Sequence, residues 1–161
     1  MDKLNRYIVQ KKEWEDATNP DPRSKTAYLE ENFLPVQKAG QLQLIDGDHE
    51  LLPGIKLILT GGHTRGHQIV LSQSNGQTSV FWSDIIPTTS HISIPYVTAY
   101  DLFPLETMEK KKELVARAIR GKWVCFFVHD PKLAAGIISR KNRSYYINQI
   151  MPIAIKGEQN G

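Results

Sequence analysis

The chain has 161 residues with a formal net charge of +3, from 20 basic and 17 acidic residues, and 40% of its residues are hydrophobic. This length suits one domain with a sizeable core, and no run of about 18 apolar residues or signal-peptide core occurs, so the sequence predicts neither a secretion signal nor a membrane span. The basic residues are spread along the chain without interleaved aromatic residues, which predicts no nucleic-acid-binding surface.

The first half of the chain is a series of short apolar runs separated by turn residues, which predicts a β-meander. A strand at "RYIVQ" is followed by a helical stretch that Pro20 ends, and a short helix is predicted around "KTAYLEENF" within an irregular segment. Asn75-Gly76 predicts the turn of a hairpin, because such turns need positive φ. The predicted strands of the meander are residues 41–46, 49–54, 55–60, 67–73 and 78–84.

The second half predicts a long helix and two further strand segments. The helix begins at Pro104, with Gly121 as its predicted C-cap and an apolar stripe formed by Leu105, Met108, Val115 and Ile119. Residues 123–128, "WVCFFV", are apolar on both faces, as expected of a central strand. The segment "AAGIISRKNRSYYINQI" predicts one last hairpin with a basic tip.

Three of the predicted strands each end at a residue that could bind a metal ion. "IKLILTGGH" ends at His63, "SVFWSD" at Asp84 and "CFFVH" at His129. Strands of one sheet can bring their ends together, and neutral imidazoles with a carboxylate form a ligand set for zinc, manganese or iron. The residues alone leave a second interpretation open, in which each histidine is a hydrogen-bonding loop residue and Asp84 stabilises a turn.

The segments "TGGHTRGH", "FWSDIIPT" and "FFVHDP", in this order, resemble the second half of the metallo-β-lactamase fold superfamily. In particular they resemble its metal-dependent hydrolases that include lactone-opening, quorum-quenching enzymes. The resemblance runs from about Tyr7 to Ile147. It implies an α/β fold, an αββα sandwich with a mostly antiparallel or mixed sheet and flanking helices.

The resemblance also implies a role for each of these residues. His63 would bind one metal ion, Asp84 would bridge two ions and take part in catalysis, and His129 would bind the second ion. His67 would be a supporting hydrogen-bond partner. The implied reaction is hydrolysis of a small-molecule lactone or ester by metal-bound hydroxide, with zinc, or manganese or iron, as cofactor.

The chain departs from the family pattern at the first metal motif, His-x-His-x-Asp-His, which does not occur in these 161 residues. Asp48-His49 resembles the end of that motif, but Asp46-Gly47 before it predicts a turn. Ser83 stands where the family has glycine before the bridging aspartate. The sequence therefore predicts a single metallo-β-lactamase-like domain over residues 1–161 that is N-terminally truncated relative to the family and binds metal weakly, with little or no activity.

A sheet that lacks strands exposes unpaired backbone and apolar surface, which predicts a homo-oligomer. The alternative function is a non-catalytic structural or interaction protein that retains a remnant of the metal site. His91, Tyr96 and Tyr100 are candidate pocket residues, with ordinary loop packing as the alternative for each.

Cys125 is the only cysteine, which excludes an intrachain disulfide and an all-cysteine metal site and favours a cytoplasmic location. A Cys125–His129 hydrolase is disfavoured, because four residues of strand separate the two by roughly 13 Å.

Overall fold

The computed structural model describes residues 6–152, in which the chain forms nine β-strands and three α-helices. The strands are β1 Tyr7–Gln10, β2 Leu42–Ile45, β3 His49–Leu52, β4 Ile55–Leu59, β5 Gln68–Ser74, β6 Gln77–Phe81, β7 Val124–Phe126, β8 Leu133–Lys141 and β9 Ser144–Pro152. The helices are α1 Lys11–Thr18, α2 Glu30–Lys38 and α3 Pro104–Gly121. Among the described residues, no helix is both long enough and apolar enough to span a bilayer.

Seven strands form one sheet in sequential order from β3 to β9. All its neighbours are antiparallel except β6 and β7, which are parallel because α3 connects them as a crossover. Strands β1 and β2 pair in parallel as a separate two-stranded sheet. The predicted α/β class with a mostly antiparallel, mixed sheet is confirmed, as are the Asn75-Gly76 turn, with positive φ at both residues, and the last hairpin.

The core lies between α3 and one face of the large sheet. Leu114, Val115 and Ala118 of the helix are each about 1% exposed, and they pack in one cluster with Trp82 and Cys125. Burial of a side chain as large as Leu114 contributes roughly 1.5–3 kcal/mol to folding. The helix is thereby fixed against the strands that end at the candidate site.

The apolar stripe predicted for α3 is partly wrong. Leu105 is 75% exposed, whereas Lys111, which the pattern assigns to no apolar face, is fully buried. The ammonium group of Lys111 donates hydrogen bonds to the backbone carbonyls of Ser93 and Tyr96, at 2.8 and 2.7 Å. These bonds replace the hydration that a buried ammonium group loses, and they attach the 93–96 loop to the helix.

Two predicted helix ends also differ from the structure. Gly121 is the last helical residue and Lys122 is the left-handed C-cap, with φ of +50°. Gly121 is needed instead for packing, because a Cβ there would fall 2.6 Å from Cδ1 of Trp123. Helix α2 begins at Glu30, later than predicted, and residues 25–27 belong to a turn instead, in which the N–H of Ala27 donates to the carbonyl of Ser24.

Candidate metal centre

The loop that carries His63 begins where β4 ends, and it reverses direction through two glycines in the left-handed region. Gly61 has φ of +62° and Gly62 has φ of +84°. A Cβ on Gly62 would lie 2.5 Å from Oγ1 of Thr107 and 2.9 Å from its Cα. The loop therefore passes so close to the start of α3 that only glycine fits at position 62.

We expect Gly62→Ala to destabilise the chain by about 2–4 kcal/mol, because it combines a left-handed backbone penalty with overpacking against Thr107. Gly47→Ala is the matched control, since Gly47 has φ of +83° but no atom within 4 Å of the place that a Cβ would take. Urea unfolding of both variants measures the difference. If Gly62→Ala costs no more than Gly47→Ala, the close packing of the loop on α3 is wrong.

Helix α1 holds the same loop from the other side. Glu13 accepts hydrogen bonds from the hydroxyl groups of Thr64, at 2.5 Å, and Tyr28, at 2.7 Å. Arg65 binds the carboxylate of Asp16 through Nε and Nη2. Burial, with the hydrogen bond to Glu13, raises the pKa of Tyr28, so its hydroxyl group remains a donor. The loop is thus clamped between α1 and α3.

The three predicted ligands come together at one end of the large sheet. Asp84 lies in a 3₁₀ turn after β6, and its Oδ2 is 3.9 Å from Nε2 of His63. Its other oxygen, Oδ1, is 3.1 Å from Nε2 of His129, which follows β7. Each carboxylate oxygen therefore faces a different imidazole, as a carboxylate shared between two metal ions would.

The distances between the Asp84 oxygens and the two imidazole nitrogens suit the binding of a metal ion by each pair. Two ligand atoms on one tetrahedral zinc ion lie about 3.4 Å apart when each bond is about 2.1 Å, and the observed 3.1 and 3.9 Å bracket that separation. Within residues 6–152, no three or more histidine, cysteine, aspartate or glutamate side chains form a group that could hold one metal ion. Among the described residues, each pair that two metal ions sharing Asp84 would use has two donors, one imidazole and one oxygen of Asp84.

His67 is buried and both its ring nitrogens are engaged. Nε2 accepts the backbone N–H of Asp84 at 3.1 Å, and Nδ1 lies 2.5 Å from Oγ1 of Thr60. Burial, together with the nearby His63, lowers the pKa of His67 to about 4, so the ring stays neutral and Nε2 can accept. The structure places His67 beneath Asp84, where it orients the backbone of that residue.

The backbone conformation at Ser83 is one that favours the glycine of the family pattern. Its φ is +50°, a left-handed conformation that is unfavourable for a residue with a side chain. This turn directs the Asp84 carboxylate toward both histidines. The chain forms the turn even though serine is less favourable than glycine in the left-handed conformation.

His129 is held next to Asp84 by the residue that follows it. Asp130 accepts hydrogen bonds from the backbone N–H and hydroxyl groups of Thr89 and from the N–H groups of Lys132 and Leu133. Burial acts to raise the pKa of Asp130, but these bonds together hold it below its ordinary value. The imidazole of His129 remains 64% exposed, so the site opens to solvent.

A cavity of about 650 Å³ opens onto His63, Asp84 and His129. The candidate pocket residues His91 and Tyr100 line it, but Tyr96 does not: Tyr96 is 60% exposed, and its carbonyl faces Lys111. The apolar part of the wall comes from Ala27, Tyr28, Pro87, Val97, Ala99 and Leu102. The cavity is large enough for a small molecule with an apolar portion.

The sequence interpretation missed Asp101, whose Oδ1 lies 2.9 Å from Nδ1 of His63. The two residues are 38 positions apart, and no local pattern links them. It also left Asp130 unassigned, although this residue lies within the "FFVHDP" motif. Asp48, the rejected substitute ligand, accepts the N–H of Leu59 at 2.9 Å, and neither it nor His49 lines the cavity.

Comparison with known proteins supports the fold and the resemblance. No family model matches the chain. An N-acyl homoserine lactonase from a Bacillus species is 31% identical over 126 residues, which cover 76% of this chain and 46% of that protein. The crystal structure of a probable metal-dependent hydrolase from Staphylococcus aureus has a TM-score of 0.78 at 31% identity and covers 89% of this chain and 52% of that one.

A third protein, a hydrolase of the β-lactamase superfamily, has a TM-score of 0.76 at 20% identity, covering 91% of this chain and 55% of that one, and it supports the fold alone. The chain spans about half the length of the relatives that it matches. The chain is a lactonase-like protein of the metallo-β-lactamase fold that covers part of the length of its relatives.

Proposed function

We propose that this chain carries part of the dinuclear metal centre of a hydrolase that acts on lactones or related esters. The observation that carries the proposal is the arrangement of Asp84, whose two oxygens face Nε2 of His63 and Nε2 of His129. The names of its relatives, a lactonase and a probable metal-dependent hydrolase, support the same class of reaction.

His63 and Oδ2 of Asp84 would hold one ion, and His129 and Oδ1 of Asp84 would hold the other. Zinc is the metal expected for this nitrogen and oxygen set, and manganese or iron also accepts it. The metal supplies an activated water and a Lewis acid for the substrate carbonyl. The chain's own contribution is to fix Asp84 through His67, to keep the ligand loop rigid, and to bind the substrate in the cavity beside it.

Two donors per ion are fewer than the four of a typical zinc site, and the His-x-His-x-Asp-His motif is absent from these 161 residues. We therefore propose that the isolated chain binds metal weakly and hydrolyses little or no substrate. Full activity would need further ligands from outside these residues.

Self-association into a homo-oligomer is part of the same proposal. The small β1–β2 sheet and the β3 edge of the large sheet carry exposed apolar side chains, at Tyr7, Leu44 and Leu52. Exposed strand edges of this kind promote pairing with another chain. A partner docked on the β1–β2 sheet would lie near α1, which contacts the His63 loop through Glu13 and Asp16, because β1 leads directly into α1.

The test is the metal content per chain of protein purified without chelator, measured together with its mass in solution. We expect substoichiometric metal in a monomer, or near-stoichiometric zinc, manganese or iron in a defined oligomer that completes the site. A metal-free protein that also fails to bind added zinc would contradict the proposal and favour a non-catalytic role. A monomer that opens lactones at an ordinary enzymatic rate would contradict the predicted weak activity.

A further inference from the structure

A buried carboxylate contacts the ring of His63 at the nitrogen that does not face Asp84. Oδ1 of Asp101 lies 2.9 Å from Nδ1 of His63, while Nε2 of the same ring is the atom directed at Asp84. The Asp101 side chain is 1% exposed. We propose that Asp101 is a positioning residue that fixes the tautomer and orientation of His63, so that the lone pair on Nε2 faces the metal position beside Asp84.

The direction of the hydrogen bond follows from the chemistry of the two groups. A carboxylate oxygen can only accept, so the proton of the neutral imidazole must be on Nδ1. Nε2 then carries the free lone pair, which is the form that binds a metal ion. A histidine ligand whose other nitrogen donates to a carboxylate is held in the binding orientation and is made more basic.

The cost of burying Asp101 indicates that its position matters. An ionised carboxylate loses several kcal/mol of solvation on burial unless partners replace the water. Thr98 donates to Oδ1 at 2.7 Å, but within the described part of the chain Oδ2 has no hydrogen-bond partner. A carboxylate that is incompletely satisfied and yet aimed at a ligand-type histidine is difficult to explain by packing alone.

Backbone hydrogen bonds also join the segments that carry Asp101 and His63. The N–H of Leu102 donates to the carbonyl of His63 at 3.0 Å, and the N–H of Phe103 donates to that of Gly62 at 2.9 Å. The segment that carries Asp101 is therefore bound along the ligand loop. Buried Lys111 attaches the preceding residues to α3, so the carboxylate has little freedom to move away from His63.

The proton position in His63 can be measured in metal-free protein, independently of the proposed function. We expect nitrogen-15 NMR to show the Nδ1–H tautomer in the wild-type chain and a shift toward Nε2–H in Asp101→Leu. The importance of the contact for metal binding rests on the proposed function. There we expect the zinc affinity of Asp101→Leu to fall about 10- to 100-fold, as for other partners of metal-binding histidines. Asp46→Leu, at an exposed aspartate near Lys11, is the control.

Asp101→Asn keeps a hydrogen-bond acceptor of the same shape, so it tests the contact even if the leucine variant does not fold. We expect it to retain the Nδ1–H tautomer, to move the Nδ1 proton resonance because the acceptor has lost its charge, and to lose less zinc affinity than Asp101→Leu. An unchanged His63 spectrum in either folded variant would overturn the proposal. If the tautomer changes but the zinc affinity does not, Asp101 forms the hydrogen bond to His63 but does not position this histidine for metal binding. A changed tautomer in a chain that binds no zinc even as wild type would contradict only the proposed function.

Discussion

Asp84→Asn is expected to abolish zinc binding at both proposed metal positions. The asparagine has the same shape but no charge, and its NH₂ group replaces one of the two oxygens that face His63 and His129. Since loss of a residue that merely supports a ligand costs 10- to 100-fold in affinity, loss of the shared ligand should cost more than about 100-fold. Competition titration against a chromophoric chelator measures this, and the cobalt(II) absorption spectrum provides an independent check.

The stoichiometry separates a shared carboxylate from an ordinary ligand. His63→Ala and His129→Ala should each remove one position and leave weak binding at the other, whereas Asp84→Asn should remove both. Asp46→Asn makes the same change of charge at a side chain that is 65% exposed, and it should bind zinc like the wild-type chain. Circular dichroism establishes that each variant is folded. If Asp84→Asn loses no more zinc than either histidine variant, Asp84 is not shared between two positions.

The predicted elements that position the ligands rest on short-range sequence signals. Apolar runs ending in Gly-Gly-His, Ser-Asp and His-Asp predict strands that deliver His63, Asp84 and His129, and an Asn-Gly pair predicts the hairpin between the first two. These signals involve residues that are neighbours in the chain. Asp84 and His129 meet because β6 and β7 are adjacent and parallel, which brings their ends to the same edge of the sheet. Strand β4 runs in the same direction as β6, since β5 is antiparallel to both, so His63 comes to that edge as well.

The features that the sequence did not predict depend on contacts between distant segments. Lys111 is charged and would be placed on a solvated helix face, but its ammonium group finds two carbonyls on a loop 15 and 18 residues away. Asp101 looks like an ordinary loop residue until the fold brings it against His63. Helical periodicity cannot show such pairings, because they depend on how the loop before α3 packs.

The buried ammonium group of Lys111 predicts a pH dependence of stability. Burial lowers the pKa of Lys111 from 10.5 to about 8, although Asp101 opposes this shift. Between these values the unfolded chain binds a proton that the folded chain does not, so stability rises with pH. This gain in stability is fully present above pH 10.5 and is lost as the pH falls through about 8. His91, which also lies near Lys111, does not titrate in this pH range, because burial and Lys111 lower its own pKa.

Lys111→Met keeps most of the side-chain volume and removes the titrating group. We expect the free energy of unfolding of the wild-type chain, relative to this variant, to increase by up to about 2 kcal/mol between pH 7 and pH 10.5, after allowance for screening by solvent. Urea unfolding at a series of pH values measures the two curves. Lys110→Met removes the same charge one position earlier, where the ammonium group is exposed beside Glu113, and its curve should run parallel to that of the wild type. Parallel curves for Lys111→Met as well would mean that this lysine remains hydrated, and that it does not attach the loop before Asp101 to α3.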